Sequence, residues 1–274
     1  MFDCFSFFNE LDLLEIRLNL LDPVVEKFVL VESNMTHAGK PKELLFQQNR
    51  SRFSKFLPKI YYILYNGSPE NPHCNRWFNE NQQRDAILEV LWHIKPSDGL
   101  LHISDLDEIP RPEKLVEAAR VYESTHLPVS LQQINCLYYM NFQTTAISLG
   151  SYVYDPTKFK EVPTMLRWHA CDNIHKNDFP MVADAGWHFS TLGGVEKIRE
   201  KLSAYAHKEF DDPEVISDQH LLECMKNGVP YYEKKFKFVE NPLRFEKKDT
   251  SNLPKYVQDN LDRYEKYVLK DQLS

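Results

Sequence analysis

The first half of this 274-residue chain predicts an α/β fold with a Rossmann-like mixed sheet flanked by helices. Short apolar runs at 2–8, 28–31, 60–64 and 100–103 predict four strands, and unbroken apolar runs are typical of strands covered on both faces. Segments with helical spacing of apolar residues follow the first and third of these runs. The resulting order β-α-β-β-α-β favours a largely parallel arrangement in this half.

Two helices are predicted between these strands. The first is expected to begin at Asn9, a residue type favoured at the N-cap, and to end before Pro23. The second is expected to run from Asn79 to Ile94. Its aliphatic side chains recur on one helical face, which predicts that this face lies against the sheet.

The second half of the chain predicts further strands and helices. Val129 to Leu137 and Ile147 to Tyr154 are strand-like and are separated by turn residues, which favours an antiparallel or mixed continuation of the sheet. A helix is expected after Gly193, and Ser217 is placed to cap another. A terminal helix is expected from Pro254 to Leu269.

The organisation predicted from this pattern is one domain with an extension. The domain is expected to cover 1–245, and a C-terminal helical extension is expected to cover 246–274. The polar segments at 66–77 and 170–182 are expected to be loops that act as lids or linkers.

Composition excludes some classes of function. The chain has 33 basic and 40 acidic residues, a net charge of -7, and no dense Lys/Arg block, so nucleic acid is not an expected partner. Its five cysteines form no C-x-x-C pair, which indicates reduced thiols. No window reaches the about 18 apolar residues of a membrane span. We therefore expect no integral membrane segment and a cytoplasmic location, with a trimmed secretory-pathway protein as the alternative.

Three carboxylates end the fourth predicted strand: Asp105, Asp107 and Glu108. Carboxylates this close raise one another's pKa unless a cation neutralises them, and oxygen ligands favour Mg²⁺ or Mn²⁺. Such an ion commonly keeps positions for phosphate oxygens. The alternative is that Asp107 or Glu108 caps the helix introduced by Pro110 and Pro112.

Other polar residues follow the predicted strands. Asn9 and Glu10 come after the first strand and Glu32 after the second, so they are expected to meet the acidic motif at one edge of the sheet. Arg84 lies on the helix that leads to the acidic strand. Its guanidinium could reach a nucleotide over that edge, or it could pair with a neighbouring surface carboxylate.

Three residues of the second half have both a functional and a structural interpretation. His188, after Gly186 and Trp187, could complete a metal shell or bind phosphate, or could be a hydrogen-bonded neighbour of a packed Trp. Asp218 at a predicted helix start could be a general base or only interact with the helix dipole. Asp184 is the rival candidate for the base.

Together, several motifs closely resemble glycosyltransferase family 17, the family of β-1,4-mannosyl-glycoprotein 4-β-N-acetylglucosaminyltransferases. The motifs are Asp3-Cys4-Phe5, the segments 8–17, 31–33, 36–37 and 39–42, Gln83-Arg84, and the segments 104–110 and 186–190. The resemblance covers about residues 3 to 210. It implies a fold of GT-A type, a UDP-sugar donor, Mn²⁺ or Mg²⁺, and inversion at the anomeric carbon.

The resemblance also implies roles for individual residues. Asp105 and Asp107 would be the metal-motif carboxylates, with Asp107 as the direct ligand and Asp105 also near the donor, and His188 would lie near the metal or the diphosphate. The uridine and phosphate end would be lined by Asn9, Glu10, Glu32 and Arg84. An inverting transfer needs one carboxylate base, for which Asp218 is preferred to Asp184.

The expected reaction is metal-dependent transfer of a sugar to a hydroxyl of a glycan that is protein-borne or lipid-linked. N-acetylglucosamine is the sugar expected. The nucleotide-sugar half would cover about 1–125 and the acceptor half about 126–245. One alternative is a nucleotidyltransferase that uses the same carboxylates. The other is a non-catalytic carbohydrate-binding protein, in which Trp77, Trp187, Tyr138 and Tyr139 stack on sugars.

Overall fold

The computed structural model describes residues 1–69, 76–176, 178–206, 212–233 and 243–270. These residues contain one nine-stranded mixed sheet. The strands are β1 (Phe2–Phe7), β2 (Lys27–Ser33), β3 (Ile60–Tyr65), β4 (Leu101–Asp105), β5 (Glu108–Pro110), β6 (Val129–Leu137), β7 (Phe142–Tyr154), β8 (Met181–Ser190) and β9 (Glu246–Lys247).

The strand order is β3-β2-β1-β4-β7-β6-β8-β5, and β9 pairs with β7. β1 is parallel to β2 and β4, and β2 is parallel to β3. Beyond β4 the sheet becomes mixed, because β4 and β6 are antiparallel to β7 while β6 is parallel to β8. The predicted α/β class with a mixed sheet is confirmed, and so is the parallel first half.

Helices follow most of the strands. They are α1 (Leu11–Leu21), α2 (Leu45–Gln48), α3 (Trp77–Asp85), α4 (Pro112–Thr125), α5 (Pro163–Lys176), α6 (Gly194–Ala204), α7 (Asp218–Asn227), α8 (Lys255–Asp259) and α9 (Leu261–Tyr264). In the described part of the chain, no helix is both long enough and apolar enough to cross a membrane.

Both faces of the central strands are covered. Successive side chains of a strand point to opposite faces, so Phe5 and Leu30 pack in one apolar cluster with Leu14 of α1. Cys4 packs on the other face, in a second cluster with Ile87. This arrangement explains why the strands carry unbroken apolar runs instead of an alternating pattern.

The first helix begins close to the predicted position. α1 starts at Leu11 with Glu10 at its N-cap and ends before Pro23. Asn9 does not cap it, since no side-chain hydrogen bond caps this helix. The Asn9 side chain Nδ2 donates to Glu200 Oε1 at 2.8 Å. The Ser217 cap is confirmed, since its hydroxyl accepts the backbone N–H of His220 at the start of α7.

Two predicted helices are less regular than expected. The segment predicted as one helix over 79–94 is α-helical in α3 and continues as a 3₁₀ helix over Ala86–Trp92. The predicted terminal helix breaks at Asn260, whose φ of -131° and ψ of 37° are not helical, and so forms α8 and α9. The broken segment still packs on α1, where the Tyr256 hydroxyl donates to Glu15 at 3.1 Å.

The prediction of a loop over 170–182 is wrong. α5 continues to Lys176 and β8 begins at Met181, so only a short connection separates them. α5 packs on β7 and α3, and this tertiary contact outweighs the polar composition of the segment. Half of the loop predicted over 66–77, residues 70–75, lies outside the described residues, as does Cys74. The other four cysteines are free thiols.

The close pairing of β5 and β8 predicts that Gly186 tolerates no side chain. Its φ is +151°, and an added Cβ would lie 2.2 Å from the Ile109 carbonyl oxygen. We expect Gly186→Ala to lower the free energy of unfolding by about 3 kcal/mol. Gly194→Ala is the matched control, because Gly194 has φ +83° but no atom within 4 Å of the added Cβ, so about 1 kcal/mol is expected. Urea denaturation compares the two, and equal losses would contradict the steric explanation.

Candidate functional site

A pocket opens at the carboxyl ends of β1, β2 and β4. Residues of both halves of the chain line it, among them Glu10, Arg84, Asp107, His188 and Lys201. Ligands of open α/β sheets bind at this edge, where the strand ends leave a crevice. The pocket therefore lies where the sequence predicted a site.

The carboxylate of Asp105 is held by two arginines at this pocket. Arg84 Nη2 lies 3.1 Å from Asp105 Oδ1, and Arg167 Nη2 lies 2.7 Å from Oδ2. Burial alone would raise the pKa of Asp105, but the two guanidinium groups hold that pKa well below its usual range. Asp105 is therefore ionised and fixed in orientation, with both oxygens engaged.

Asp107 has a different partner. Lys201 Nζ donates to Asp107 Oδ2 at 2.7 Å, and His188 Nε2 lies 3.8 Å from Oδ1. Burial raises the pKa of Asp107, but the nearby Lys201 and His188 outweigh it and lower that pKa. The other ring nitrogen of His188 contacts the Ser148 hydroxyl at 3.0 Å, so the imidazole is oriented beside the carboxylate.

Glu108 stabilises the acidic motif through contacts with Arg167 and with the Asp105 backbone. It is buried and forms two contacts with Arg167, at 2.8 and 3.0 Å. Its Oε2 also accepts the backbone N–H of Asp105 at 2.9 Å. The helix-capping alternative is wrong for both Asp107 and Glu108, because α4 has Arg111 at its N-cap and no side-chain cap.

A buried arginine shapes the turn that presents these carboxylates. Arg17 of α1 donates two hydrogen bonds to the Asp3 carboxylate, at 2.6 and 2.8 Å. Its Nη1 donates to the carbonyl oxygens of Asp105, Leu106 and Glu108, at 2.9, 3.2 and 3.0 Å. Three carbonyl groups that converge on one donor group hold the turn in a single conformation.

Three basic residues of this site were missed by sequence reasoning: Arg17, Arg167 and Lys201. Arg17 could have been found, because it lies among buried leucines of α1 where a charged residue is unexpected. Arg167 and Lys201 come from α5 and α6, far along the chain from the acidic motif. No local pattern indicates that these two helices reach it.

Several predicted site residues lie elsewhere. Glu32 does not line the pocket, since its carboxylate is fully buried and accepts from the Phe46 N–H and the Tyr62 hydroxyl, both at 3.0 Å. Asn9 lines a neighbouring groove with Lys40 and Glu200. Both residues thus stay near the site without facing its centre.

The two candidates for the base lie outside the pocket lining. The Asp184 carboxylate is 63% exposed and lies 3.1 Å from Arg111 Nη2. Asp184 precedes His188 by four positions in β8, which is roughly 13 Å along a strand. The Asp218 carboxylate is 70% exposed and is paired with Arg199 on α6. The structure brings neither carboxylate to Asp107.

Two side chains of the pocket, Asp107 and His188, are possible ligands for a divalent ion. Asp107 Oδ1 and His188 Nε2 are 3.8 Å apart and belong to residues that line the pocket. Among the described residues, no three His, Cys, Asp or Glu side chains form a ready metal cluster. Mg²⁺ and similar ions are commonly held by one or two protein groups, with phosphate and water as the other ligands. The residues fit an ion bound in that way.

Comparison with known proteins identifies a family match over nearly the whole chain. The sequence model described as Glycosyltransferase family 17 matches residues 1–272. The chain is 27% identical over 136 residues to a human β-1,4-mannosyl-glycoprotein 4-β-N-acetylglucosaminyltransferase, and 27% identical to its rat counterpart. Each match covers 47% of this chain and 25% of the relative. The matched part thus spans about a quarter of the length of these relatives.

Solved structures show weaker similarity. TarS 1-349 from S. aureus matches with a TM-score of 0.40 and 12% identity, over 86% of this chain and 72% of that chain. Glucosyl-3-phosphoglycerate synthase from Mycobacterium tuberculosis, solved with Mn²⁺, UDP and glucosyl-3-phosphoglycerate, matches with a TM-score of 0.36 and 10% identity, over 68% and 70% of the two chains.

The Arg17 contact predicts a loss of stability in acid. Burial would raise the pKa of Asp3, but Arg17 and His102 lower it from 3.8 to about 2. A carboxylate whose pKa is lower in the folded state than in the unfolded state stabilises the protein above pH 4. This contribution is lost as the pH falls toward 2. We expect a contribution of about 2 kcal/mol, measured by urea denaturation at several pH values.

Asp3→Asn tests this assignment. The variant is expected to be less stable at pH 6 and to lose less further stability between pH 4 and 2. Asp184→Asn, which changes an exposed carboxylate, should retain the wild-type pH profile. An Asp3→Asn profile as steep as that of the wild type would contradict the role of Asp3.

Proposed function

The chain belongs to glycosyltransferase family 17, and on this basis we propose that its pocket transfers N-acetylglucosamine from a UDP-sugar to a hydroxyl of a glycan acceptor. We propose that the transfer depends on Mn²⁺ or Mg²⁺ and inverts the anomeric carbon. The family match and the N-acetylglucosaminyltransferase relatives support the class of reaction. The chemistry of the pocket supports the donor.

The observation that carries this proposal is the pair formed by Asp107, which follows β4, and His188 of β8, both of which line the pocket. The protein has a net charge of -7, so its overall field does not attract a diphosphate. The four basic residues that line the pocket, Lys42, Arg84, Arg167 and Lys201, balance its four carboxylates, Glu10, Glu80, Asp105 and Asp107. A divalent ion would add the net positive charge that a diphosphate needs. An anionic donor would therefore be bound by the pocket and not by the surface.

Asp107 and His188 would hold the divalent ion, which would neutralise charge on the departing UDP. Arg84 and Arg167 pair with the Asp105 carboxylate. Glu108 accepts a hydrogen bond from the Asp105 backbone N–H and pairs with Arg167. These contacts keep the turn rigid, so that Asp107 needs no reorganisation when the donor binds. Preorganisation of this kind lowers the barrier to charge separation at the anomeric carbon.

We propose that Glu10 is the base that removes the proton of the acceptor hydroxyl. Of the described carboxylates that line the pocket, Glu80 and Asp105 lie within 3.1 Å of Arg84, and Asp107 lies 2.7 Å from Lys201. Glu10 Oε1 lies farther from a basic group, at 4.0 Å from Lys201 Nζ. A carboxylate farther from a cation is the better proton acceptor, which favours Glu10 over its neighbours.

Binding of UDP tests the donor proposal. We expect UDP with Mn²⁺ to raise the melting temperature of the wild type, because a ligand that binds only the folded state stabilises it. Asp107→Asn should abolish this shift and lower transfer about 100-fold, with the circular dichroism spectrum unchanged. Asp184→Asn is the control and should behave as the wild type. Absence of any shift in the wild type would overturn the proposal.

Product analysis separates the reaction classes. A glycosyltransferase releases UDP from a UDP-sugar, and we expect slow UDP release even when water is the acceptor. A nucleotidyltransferase would instead release pyrophosphate from a nucleoside triphosphate, and a carbohydrate-binding protein would consume neither compound.

Substitution of three carboxylates tests the base. Removal of a general base commonly costs about 10² to 10⁴ in rate, so we expect a loss of this size for Glu10→Gln with UDP affinity retained. Asp218→Asn and Asp184→Asn should retain activity, because both carboxylates are more than 60% exposed. A large loss in Asp218→Asn with normal Glu10→Gln activity would reverse the assignment.

A further inference from the structure

Lys201 is the basic residue that contacts the acidic motif from α6. Its Nζ lies 2.7 Å from Asp107 Oδ2 and 4.0 Å from Glu10 Oε1, and its side chain is 22% exposed. Neighbouring contacts hold α6 across the pocket. Glu200 accepts from the Asn9 side chain at 2.8 Å, and the Ala204 carbonyl accepts from the Ala38 N–H at 3.2 Å.

The two aspartates of the motif, Asp105 and Asp107, are paired with different basic side chains. Asp105 is held by the guanidinium groups of Arg84, which is buried, and of Arg167, whose side chain is 15% exposed. The two arginines have further carboxylate partners in Glu80 and Glu108. Guanidinium groups with several fixed partners are not easily displaced. The two contacts of Asp105 are therefore permanent parts of the structure.

Asp107 is instead paired with a lysine. An ammonium group is a compact charge on a flexible stem with three rotatable donors, and Glu10 provides a second carboxylate close by. Lys201 Nζ lies on one oxygen of Asp107 while His188 Nε2 faces the other at 3.8 Å. A divalent ion bound to Asp107 would repel the Lys201 ammonium group, which lies 2.7 Å from the Asp107 carboxylate. The two cations would therefore compete for this carboxylate.

We propose that Lys201 is an exchangeable cation: it neutralises Asp107 without a divalent ion, and moves to the diphosphate when an ion binds Asp107. The second half of this proposal rests on the proposed UDP-sugar donor. Charge-assisted hydrogen bonds to phosphate are strong, and a lysine that lines the pocket can donate them from a short distance. Lys201 would then help to bind the donor diphosphate from the α6 side.

The test uses Lys201→Met, which keeps the aliphatic stem and removes the charge. Its matched control is Lys197→Met, one turn earlier on α6, where the side chain is 58% exposed and pairs with Glu200. Mn²⁺ binding without nucleotide is measured by electron paramagnetic resonance of the free ion. UDP binding at saturating Mn²⁺ is measured by calorimetry.

Opposite changes in the two affinities are expected. Lys201→Met should bind Mn²⁺ about tenfold more tightly, because no ammonium competes, and UDP about tenfold more weakly, because a phosphate contact is lost. Lys201→Arg should retain UDP affinity, and Lys197→Met should change neither value. Circular dichroism checks the fold, and Lys201→Gln replaces Lys201→Met if that variant is unfolded.

Other outcomes overturn the proposal. If Lys201→Met binds both Mn²⁺ and UDP more weakly, Lys201 only maintains the shape of the site. If neither affinity changes, Lys201 has no role in binding. If the wild type binds Mn²⁺ but no UDP, the proposed donor is wrong, and the Mn²⁺ measurement alone then decides whether Lys201 competes for Asp107.

Discussion

The hydrogen bonds of Arg17 connect the core of this protein to its candidate site. Its side chain is fully buried and donates to Asp3 on β1, to the Ser104 hydroxyl on β4, and to three carbonyl groups of the following turn. A buried charge is tolerated only when its hydrogen bonds are satisfied. Arg17 thus requires α1, β1 and β4 to be correctly assembled, and the same assembly fixes the turn that carries Asp107.

The structure changes the physical argument for a metal. Adjacent carboxylates need positive charge nearby, but the protein supplies that charge itself through Arg84 and Arg167 on Asp105 and through Lys201 on Asp107. Neutralisation alone therefore does not require an ion. The observation that still favours an ion is that an oxygen of Asp107 and a nitrogen of His188 lie close together beside a pocket.

Local patterns predicted the parts of the fold that depend on local interactions. The apolar strands, the end of α1 before Pro23 and the Ser217 cap were all evident from the sequence. The contacts of Arg167 and Lys201 with the acidic motif were not, because they depend on where two later helices pack. The helix-start signal at Asp218 indicated a helix terminus correctly but carried no information about its distance from the pocket.

The direction of α6 is set by a turn of unusual backbone geometry. Thr191, Gly193 and Gly194 all have positive φ, at 52°, 101° and 83°. A left-handed conformation is unfavourable for a β-branched residue and costs about 1 to 2 kcal/mol, so surrounding contacts must maintain it at Thr191. Those contacts include the hydrogen bond from the Phe189 N–H to the Asp107 carbonyl at 2.8 Å, just before the turn. The backbone of the acidic motif thus anchors the strand end from which α6 departs, and α6 in turn carries Lys201 back to the Asp107 side chain.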